Sequence, residues 1–392
     1  MRLNIVNGQL ITPKGILKGS MFIEDGKIIE ISSSNIDTPN ATEIDAHGKF
    51  VSPGFIDIHV HGGGGHDFMD NTIDAFLGIA NLHAKYGTTA MLPTTLSCEK
   101  TDLLKTLNIY DDANRVNTNG AQFIGIHIEG PYFAINQRGA QDPRYIRDPD
   151  PDEYKEILLA SKSIKRWSAA PELKGAIEFG RYMVCKGILP AIAHTDAIYE
   201  DVIEAFNNGY TLATHFYSAM SGVTRRNAFR YAGVVESAYL IDEMDVEIIA
   251  DGIHLPSPLL KLIYKIKGSH RIALITDAMR AAGMPPGESI LGSLKDGIKV
   301  IVEDGVAKMP DRNSFAGSVA TFNKLVQNII KLAEVPLIEA VRMASETPAR
   351  IMKINDKKGS LELGMDADVV IFDEDINIDT TIINGKIVYK NL

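Results

Sequence analysis

Eight short apolar segments recur through the middle of this 392-residue chain, and longer amphipathic stretches separate them. Short apolar runs that alternate with helical ones are typical of parallel strands joined by crossover helices. Glycines follow the helical stretches predicted at residues 72–86, 173–186 and 200–208. Eight such units predict an α/β chain whose centre is a (β/α)8 barrel of the TIM type. The predicted strands span residues 55–60, 90–93, 124–128, 167–170, 189–193, 212–214, 246–250 and 271–276.

The two ends of the chain follow a different pattern. Residues 1–52 and 355–392 contain short β-type runs that turn signals interrupt, Asn7-Gly8 among them. Neither end alone would cover a sheet face, so we expect both to combine into one small β-sandwich. The predicted domains are therefore a barrel at residues 53–354 and a sandwich built from residues 1–52 and 355–392.

The composition limits the kinds of molecule that the chain is expected to bind. The chain has 40 Lys and Arg residues against 50 Asp and Glu residues, a formal net charge of −10 at pH 7. This charge argues against nucleic acid or an anionic membrane as the main partner, although a local basic spot could still bind a small anion. The apolar runs fall short of the ~20 residues needed to cross a bilayer, and the first residues lack the pattern of a secretory signal. We therefore expect a cytoplasmic protein whose two cysteines, Cys98 and Cys185, form no disulfide framework.

Polar residues that can bind a metal follow several of the predicted strands. In a barrel the carboxyl ends of all strands meet at one face, where active sites lie. His59 and His61 share one side of the first strand because side chains alternate along it, so both can bind the same ion. A single histidine at such a position is more often part of a hydrogen-bonded core, but coincidences at five of the eight strand ends favour a metal site. The residues are His59, His61, Glu129, His194, His215 and Asp277.

These residue types indicate a particular chemistry. Imidazole and carboxylate ligands suit zinc best, with iron, manganese and cobalt as alternatives. A bound ion would lower the pKa of a water molecule towards ~7 and polarise a carbonyl oxygen. Asp277 would take the proton from that metal-activated water, the nucleophile, and deliver it to the leaving amine as general acid and base. The chain contains no Gly-x-Ser-x-Gly motif that would supply a serine nucleophile instead.

The segment from Pro53 to His61, PGFIDIHVH, resembles the first barrel strand of the amidohydrolase superfamily. A narrower resemblance, over essentially the whole chain, is to the N-acetylglucosamine-6-phosphate deacetylase family. It implies a TIM-like barrel, with a sandwich from both termini, that removes the acetyl group from an N-acetyl amino-sugar 6-phosphate. The matching motifs are HIEGP at 127–131, GAQ at 139–141, AHT at 193–195, THFYSAM at 214–220, ADGIH at 250–254 and TDA at 276–278.

The resemblance also implies roles for the residues at the strand ends. Glu129, His194 and His215 would hold the metal that activates water, and Asp277 would be the catalytic acid and base. The two histidines of the first strand match a pair that holds a second ion in some family members and is missing in others. One or two divalent ions per subunit therefore stay open at this point.

A second set of residues is implied to bind the sugar phosphate. Ser218 and Ala219 match a backbone segment near the phosphate. Arg226 matches an arginine that reaches the phosphate from the neighbouring subunit, with Arg225 as the one-residue alternative, and such an arginine implies a homodimer. The other matching residues, expected to contact or line the sugar pocket, are Gln141, His254 and Ser318.

Other functions stay open from the sequence alone. N-acetylgalactosamine 6-phosphate differs from its glucosamine epimer at one hydroxyl, and the sequence does not separate the two substrates. Cyclic amides and N-acyl amino acids are further substrates for this architecture, although cyclic-amide hydrolases usually carry a bridging lysine that we do not find here. The alternative outside catalysis is a silent binding or scaffold protein. Such relatives typically lose metal ligands or the acid/base aspartate, and this chain has them all.

Overall fold

Eight parallel strands form the centre of the fold, as the sequence predicts. The computed structural model describes residues 1–391, and each predicted segment forms a strand whose ends lie within three residues of the expected ones. We number these eight barrel strands in chain order. They are Phe55–Val60, Thr88–Pro93, Ile126–Glu129, Ile164–Ala169, Leu189–Ile192, Leu212–Ala213, Asp245–Ile248 and Ile272–Leu274.

The barrel strands follow chain order around a curled parallel sheet. The third to eighth strands pair in one six-stranded sheet, and the first two pair in another with the short strand Gln122–Phe123. Backbone hydrogen bonds join the two sheets at both edges. The Thr95 amide donates to the His127 carbonyl over 3.0 Å, and the Asp277 amide donates to the His59 carbonyl over 2.9 Å. The second bond links the end of the last strand to the first, which gives a TIM-like arrangement.

The helices bury one face each. In helix Ile73–Lys85, Phe76 and Ile79 are buried at the three-residue spacing that places side chains on the same face. Thr72 caps this helix by accepting a hydrogen bond from the Ala75 amide. The helices are Ile73–Lys85, Lys100–Val116, Pro151–Ala160, Ala176–Cys185, Tyr199–Asn207, Val234–Leu240, Ser257–Lys267, Phe322–Ala333, Leu337–Ala344 and Glu346–Ile351.

Strands from both ends of the chain combine in one eight-stranded mixed sheet. Val369–Phe372 runs antiparallel to Phe50–Pro53, which joins the two ends as expected. The sheet has its own apolar cluster, which includes Leu3 and Ile371. A separate two-layer sandwich domain with the expected boundaries stays a prediction. The strands of the sheet are Arg2–Thr12, Gly15–Glu24, Lys27–Ser32, Thr42–Asp45, Phe50–Pro53, Val369–Phe372, Ile378–Ile383 and Lys386–Lys390.

The turn predicted at Asn7-Gly8 is wrong. Both residues lie inside the strand Arg2–Thr12, where the pairing with the second strand of the sheet shifts between Ile5 and Gly8. Asn7 has a φ of 55°, so the dipeptide forms a β-bulge rather than a hairpin turn. Bulges and tight turns both use residues with positive φ, and for that reason the Asn-Gly pair alone does not separate them.

Two small β-structures lie outside the barrel and the terminal sheet. Thr224–Arg226 pairs with Phe229–Tyr231 in an arginine-rich hairpin, in which Phe229 of the second strand is 72% exposed. Gly287–Leu291, Ile298–Glu303 and Val306–Lys308 form a three-stranded antiparallel sheet. The other short elements are the strands Gly62–Gly63, His66–Asp67 and Gln122–Phe123 and the 3-10 helices Phe68–Asp70, Ile135–Gln137 and Ser269–Arg271.

The two cysteines are free thiols. Burial raises the pKa of the Cys98 thiol to about 12, so it stays protonated and unreactive at neutral pH. Within residues 1–391, no helix has both the length and the apolar character needed to cross a membrane.

His83, on the buried face of helix Ile73–Lys85, is expected to make stability depend on pH. Its Nε2 lies 2.9 Å from the Gly62 carbonyl oxygen, and burial lowers its pKa from 6.5 to about 4. Between these two values the unfolded chain binds more protons than the folded one, so stability falls as the pH falls. This group alone should lower the free energy of unfolding by about 2 kcal/mol between pH 7 and pH 5.

The variant His83→Gln tests this expectation because it keeps a donor for the Gly62 carbonyl and removes the titrating ring. Urea unfolding at pH 7 and pH 5 should show a loss of stability that is smaller by about 2 kcal/mol in the variant. An equal loss in both proteins would show that His83 is not the source of the pH dependence.

Candidate active site

The predicted metal-binding and acidic residues converge at the carboxyl end of the barrel. Three of them have left-handed backbone conformations, with φ of 48° at His194, 30° at His215 and 47° at Asp277. Residues other than glycine rarely adopt this conformation, and such strain is concentrated at functional sites. All six residues are buried, with no more than 8% of the surface of any one exposed: His59, His61, Glu129, His194, His215 and Asp277.

Glu129 lies at the centre of the cluster and belongs to two groups of possible metal ligands. Its Oε1 lies 3.1 Å from His215 Nε2 and 3.4 Å from His194 Nε2. The same Oε1 lies 3.5 Å from His59 Nε2, and Oε2 lies 3.4 Å from His61 Nε2. Within each group the ligand atoms lie within 4.8 Å of one another. One carboxylate can therefore bridge two ions, and either group alone can bind one.

Hydrogen bonds on the outer sides of two rings orient their inner nitrogens. His61 Nδ1 lies 3.2 Å from the Thr94 carbonyl oxygen, and His194 Nδ1 lies 2.8 Å from the Gln137 carbonyl oxygen. A carbonyl oxygen only accepts, so both rings donate from Nδ1, and Nε2 is the nitrogen that faces the site. Imidazole nitrogens together with one carboxylate fit Zn²⁺ and related divalent ions.

The charges of the cluster also suit a cation. Burial disfavours charge on Glu129, but His59 and its neighbouring histidines outweigh burial and hold the pKa of this carboxyl well below its usual range. Burial likewise disfavours charge on His61, yet the Asp277 and Glu129 carboxylates raise its pKa to about 10. A proton on His61 balances these carboxylates, and a divalent ion that binds here would displace it.

Asp277 follows the last barrel strand and faces the histidines of the first. Its Oδ1 lies 3.3 Å from His61 Nε2 and 3.6 Å from His59 Nε2. Burial would raise the pKa of Asp277, but the charges of these histidines lower it below its usual value. The carboxylate is therefore ionised and can accept a proton from a group bound among the ligands.

A cavity of about 420 Å³ opens over the ligand cluster. This volume falls within the range of small-ligand sites in proteins. Most of the ligand cluster lines the cavity, and His59 is fully buried behind it. Four of the residues predicted to bind the sugar phosphate also line it: Gln141, Ser218, Ala219 and His254.

Neighbouring groups hold two of these cavity residues in place. Gln141 Nε2 donates to Glu129 Oε2 over 2.7 Å, and Gln141 Oε1 accepts from the Ser97 amide at 2.9 Å. His254 Nδ1 lies 2.6 Å from Asp251 Oδ2, which leaves its Nε2 free to contact a ligand. Both side chains are thus oriented in advance by bonds that do not involve a substrate.

The structure does not bring Ser318 or the arginine pair to the cavity. Ser318 is fully buried, its hydroxyl donates to the Thr276 carbonyl, and its amide donates to the Asp277 carbonyl over 2.7 Å. Its polar groups therefore hold the backbone of Asp277 instead of facing the sugar pocket that the resemblance indicates. Arg225 and Arg226 lie exposed on the hairpin, outside the cavity.

A buried ion pair beside His59 was not predicted from the sequence. Arg166 on the fourth barrel strand and Glu247 on the seventh are fully buried and form a two-pronged salt bridge. Glu247 Oε2 lies 3.6 Å from His59 Nδ1. The signal that could have found both residues is a charge inside an apolar barrel strand, because charged side chains are almost never fully buried unless they are paired.

A comparison with known families agrees with this geometry. Residues 50–388 match the amidohydrolase family. The chain belongs to the amidohydrolase family. The matched region of this amidohydrolase includes all eight barrel strands and every proposed metal ligand.

Individual relatives of this amidohydrolase cover nearly its whole length. It is 34% identical to the N-acetylglucosamine-6-phosphate deacetylase of Lysinibacillus sphaericus, over 94% of the chain and 92% of that protein. It is 32% identical to the N-acetylgalactosamine-6-phosphate deacetylase of Escherichia coli, over 97% of each. The structure of N-acetylglucosamine-6-phosphate deacetylase from Pasteurella multocida aligns with a TM-score of 0.92, at 27% identity over 100% of both chains.

A further solved structure contains a ligand. It is a mutant N-acetyl-D-glucosamine-6-phosphate deacetylase from Mycobacterium smegmatis in complex with N-acetyl-D-glucosamine-6-phosphate. This structure aligns with a TM-score of 0.89 at 28% identity, over 100% of this chain and 99% of that one. The similarity therefore extends through the barrel and the terminal sheet alike.

Proposed function

We propose that this amidohydrolase removes the acetyl group from N-acetyl-D-glucosamine 6-phosphate and releases D-glucosamine 6-phosphate and acetate. The observation that carries the proposal is the buried cluster in which Glu129 joins four histidines beside Asp277, under a cavity of small-ligand size. Relatives that are 33% and 34% identical and bear the name of this activity support it.

The proposed cofactor is one or two divalent metal ions per subunit. Zinc is the metal that the nitrogen-rich ligand set favours, and iron, manganese and cobalt are the alternatives. When bound, such an ion supplies the positive charge that makes a water molecule nucleophilic and polarises the acetamide oxygen. The proposed ligands are Glu129, His194 and His215 for one ion, and His59, His61 and Glu129 for the other.

Asp277 is the proposed catalytic acid and base. As the water oxygen bonds to the acyl carbon, the Asp277 carboxylate takes up the proton that this water loses. The same proton then goes to the sugar nitrogen while the carbon–nitrogen bond breaks, which gives acetate and the free amine. Gln141 and His254 are proposed to bind the sugar, and Ser218 and Ala219 to lie near its phosphate.

The proposed phosphate site forms between two subunits of a homodimer. Arg226 lies on an exposed hairpin and outside the cavity of its own subunit. A guanidinium group suits a phosphate dianion because it donates two parallel hydrogen bonds. We therefore propose that Arg226 reaches the phosphate bound in the other subunit, and that Ser318 supports Asp277 through its backbone.

Arg226→Ala is expected to raise KM for the phosphorylated sugar by about 10- to 100-fold with little change in kcat, because a hydrogen bond to a charged group is worth ~1.5–3 kcal/mol. Steady-state kinetics on the dimer measure both constants. Arg230→Ala, on the facing strand of the hairpin, is the matched control for loss of an exposed arginine. An increase in Arg225→Ala instead would assign the contact to that residue, and normal KM in both variants would contradict a phosphate site at the hairpin.

The galacto epimer is the second candidate substrate. It is favoured by the relative that is named for N-acetylgalactosamine 6-phosphate, which is 32% identical and so nearly as similar as the glucosamine enzymes. The epimers differ at one hydroxyl, and a site that hydrogen-bonds a particular hydroxyl can discriminate strongly against a compound that lacks it there. Their relative kcat/KM values decide between them.

Acetate release from three compounds tests the proposed function. Metal-loaded protein is incubated with N-acetylglucosamine 6-phosphate, with the same sugar without phosphate, and with N-acetylgalactosamine 6-phosphate. We expect fast release from the first compound only. Faster release from the galacto epimer would make it the substrate, and no release from any of the three by a metal-loaded protein would overturn the proposed deacetylase activity.

A further inference from the structure

The fully buried ion pair of Arg166 and Glu247 lies next to His59 of the first barrel strand. Arg166 Nη2 donates to Glu247 Oε2 over 2.8 Å, and Arg166 Nη1 donates to Glu247 Oε1. The guanidinium also donates to the Ile58 carbonyl over 3.1 Å and to Thr214 Oγ1 over 2.8 Å. Backbone and side chains from the first and sixth barrel strands thus hold this charged pair in one position.

One oxygen of the pair is directed at a proposed metal ligand. Glu247 Oε2 lies 3.6 Å from His59 Nδ1, and His59 Nδ1 is buried without a hydrogen-bond partner among residues 1–391. The equivalent nitrogens of His61 and His194 both face backbone carbonyls instead. His215 Nδ1 is likewise buried without a partner, but among the four ligand rings of the described residues it is His59 whose Nδ1 has a charged side chain within 3.6 Å.

The cost of burying two charges favours a role for the Arg166–Glu247 ion pair other than stabilising the fold. A buried ion pair is weak evidence for stability, since apolar residues of similar volume often replace one at no loss or with a gain. A carboxylate behind a ligating imidazole has a different effect, because it favours the tautomer with the proton on Nδ1 and raises the basicity of the ligating nitrogen. Glu247 can have this effect on His59 only while Arg166 holds it in place.

We propose that Glu247, held by Arg166, is a positioning residue that orients His59 with Nδ1–H towards Glu247 and Nε2 towards the ion in the His59–His61–Glu129 group. The inference rests on the proposed function and its ligand set. It adds that the two ligand groups differ in how much they depend on Glu247. Glu247 touches the Glu129–His194–His215 group only at the His215 backbone, whose amide donates to Glu247 Oε2 over 3.4 Å, and a glutamine oxygen at this position can accept the same bond. The network below the site therefore sets how tightly the second ion binds.

Zn²⁺ binding measures this difference directly. Chelator-stripped protein is titrated with Zn²⁺, and the ions retained per subunit are counted by elemental analysis. We expect two binding steps in the unchanged protein, and in Glu247→Gln a weakening of one step by about 10- to 100-fold with the other step unchanged. The matched control is Asp245→Asn on the same strand, where a buried carboxylate pairs with Arg350 far from the ligand cluster. This control should keep both steps.

A second variant separates positioning from stability. Glu247→Gln leaves Arg166 without its partner charge and could fail to fold for that reason. The double variant Arg166→Met with Glu247→Leu removes both charges and keeps the volume filled. We expect this variant to fold and to bind one Zn²⁺ ion with unchanged affinity. Its affinity for the second Zn²⁺ ion should be weaker by the same 10- to 100-fold.

The outcomes separate this inference from the proposed function. Two Zn²⁺ binding steps of unchanged affinity in the folded double variant would overturn the positioning role. A single Zn²⁺ binding step in the unchanged protein would also overturn it, but deacetylation with one ion would stand. An unchanged protein that binds no Zn²⁺ and releases no acetate would overturn the proposed function itself. Equal weakening of both steps in the variants would show a general loss of structure and would also contradict the inference.

Discussion

Asp277→Asn is expected to lower kcat for deacetylation by about 10²- to 10⁴-fold, because proton transfer by a positioned group contributes a factor of this size. An amide neither takes up a proton from the attacking water nor returns one to the sugar nitrogen. The volume of the side chain hardly changes, and Asp277 is not among the proposed metal ligands. Metal content and affinity for N-acetylglucosamine 6-phosphate should therefore stay close to those of the unchanged protein.

The measurement combines steady-state kinetics with calorimetric binding of the sugar phosphate to the inactive variant. Asp368→Asn is a suitable control, because Asp368 is a buried aspartate just before the strand Val369–Phe372 and its partner is Lys358 at 2.6 Å. That change should lower the free energy of unfolding and leave kcat almost unaltered. If Asp277→Asn kept near-normal turnover, Asp277 would not be the acid and base.

Glu129→Gln is expected to remove both metal ions and with them the activity. Glu129 is the one side chain that belongs to both ligand groups among the described residues. The amide has about the same size but no charge, and each group keeps only two histidines. Because a metal ion contributes several kcal/mol of transition-state stabilisation, acetate release should fall by about 10³-fold or more.

Elemental analysis and acetate release on the same samples check this result. Glu172→Gln is the matched control, since Glu172 accepts hydrogen bonds from Thr195 Oγ1 and the Asp196 amide next to His194 but lies in neither ligand group. This control should retain its ions. Two retained ions in Glu129→Gln would contradict a shared bridging carboxylate, and one retained ion would show that the carboxylate serves a single group.

The barrel could be predicted from the sequence because each strand is encoded within a few residues. Phe55–Val60 and Leu189–Ile192 are short, mainly apolar runs bounded by polar or turn-forming residues, and helices separate such runs. Alternation along a strand also predicted that His59 and His61 act together, and their Nε2 atoms lie 3.2 Å apart. Periodicity is a local property, so it can be seen without knowing the fold.

A local sequence pattern predicts less where two kinds of local structure, here a hairpin turn and a β-bulge, use the same backbone conformation. Asn7-Gly8 satisfies both a hairpin turn and a bulge, and the choice depends on which strand pairs with the residues on each side. A turn would have ended the strand at this point. The strand pairs with Gly15–Glu24 on both sides of residues 6 and 7, so the dipeptide lies in a bulge.

The sequence by itself determined the order of the strands, the metal-capable residues at their ends and the joining of the two termini in one sheet. Only the tertiary structure decided that Glu129 belongs to both ligand groups, that Ser318 supports Asp277, and that Glu247 faces His59. Each of these contacts joins residues far apart in the chain. Such distances depend on how the barrel closes and on which buried charges find partners, and neither is encoded in the periodicity of any one segment.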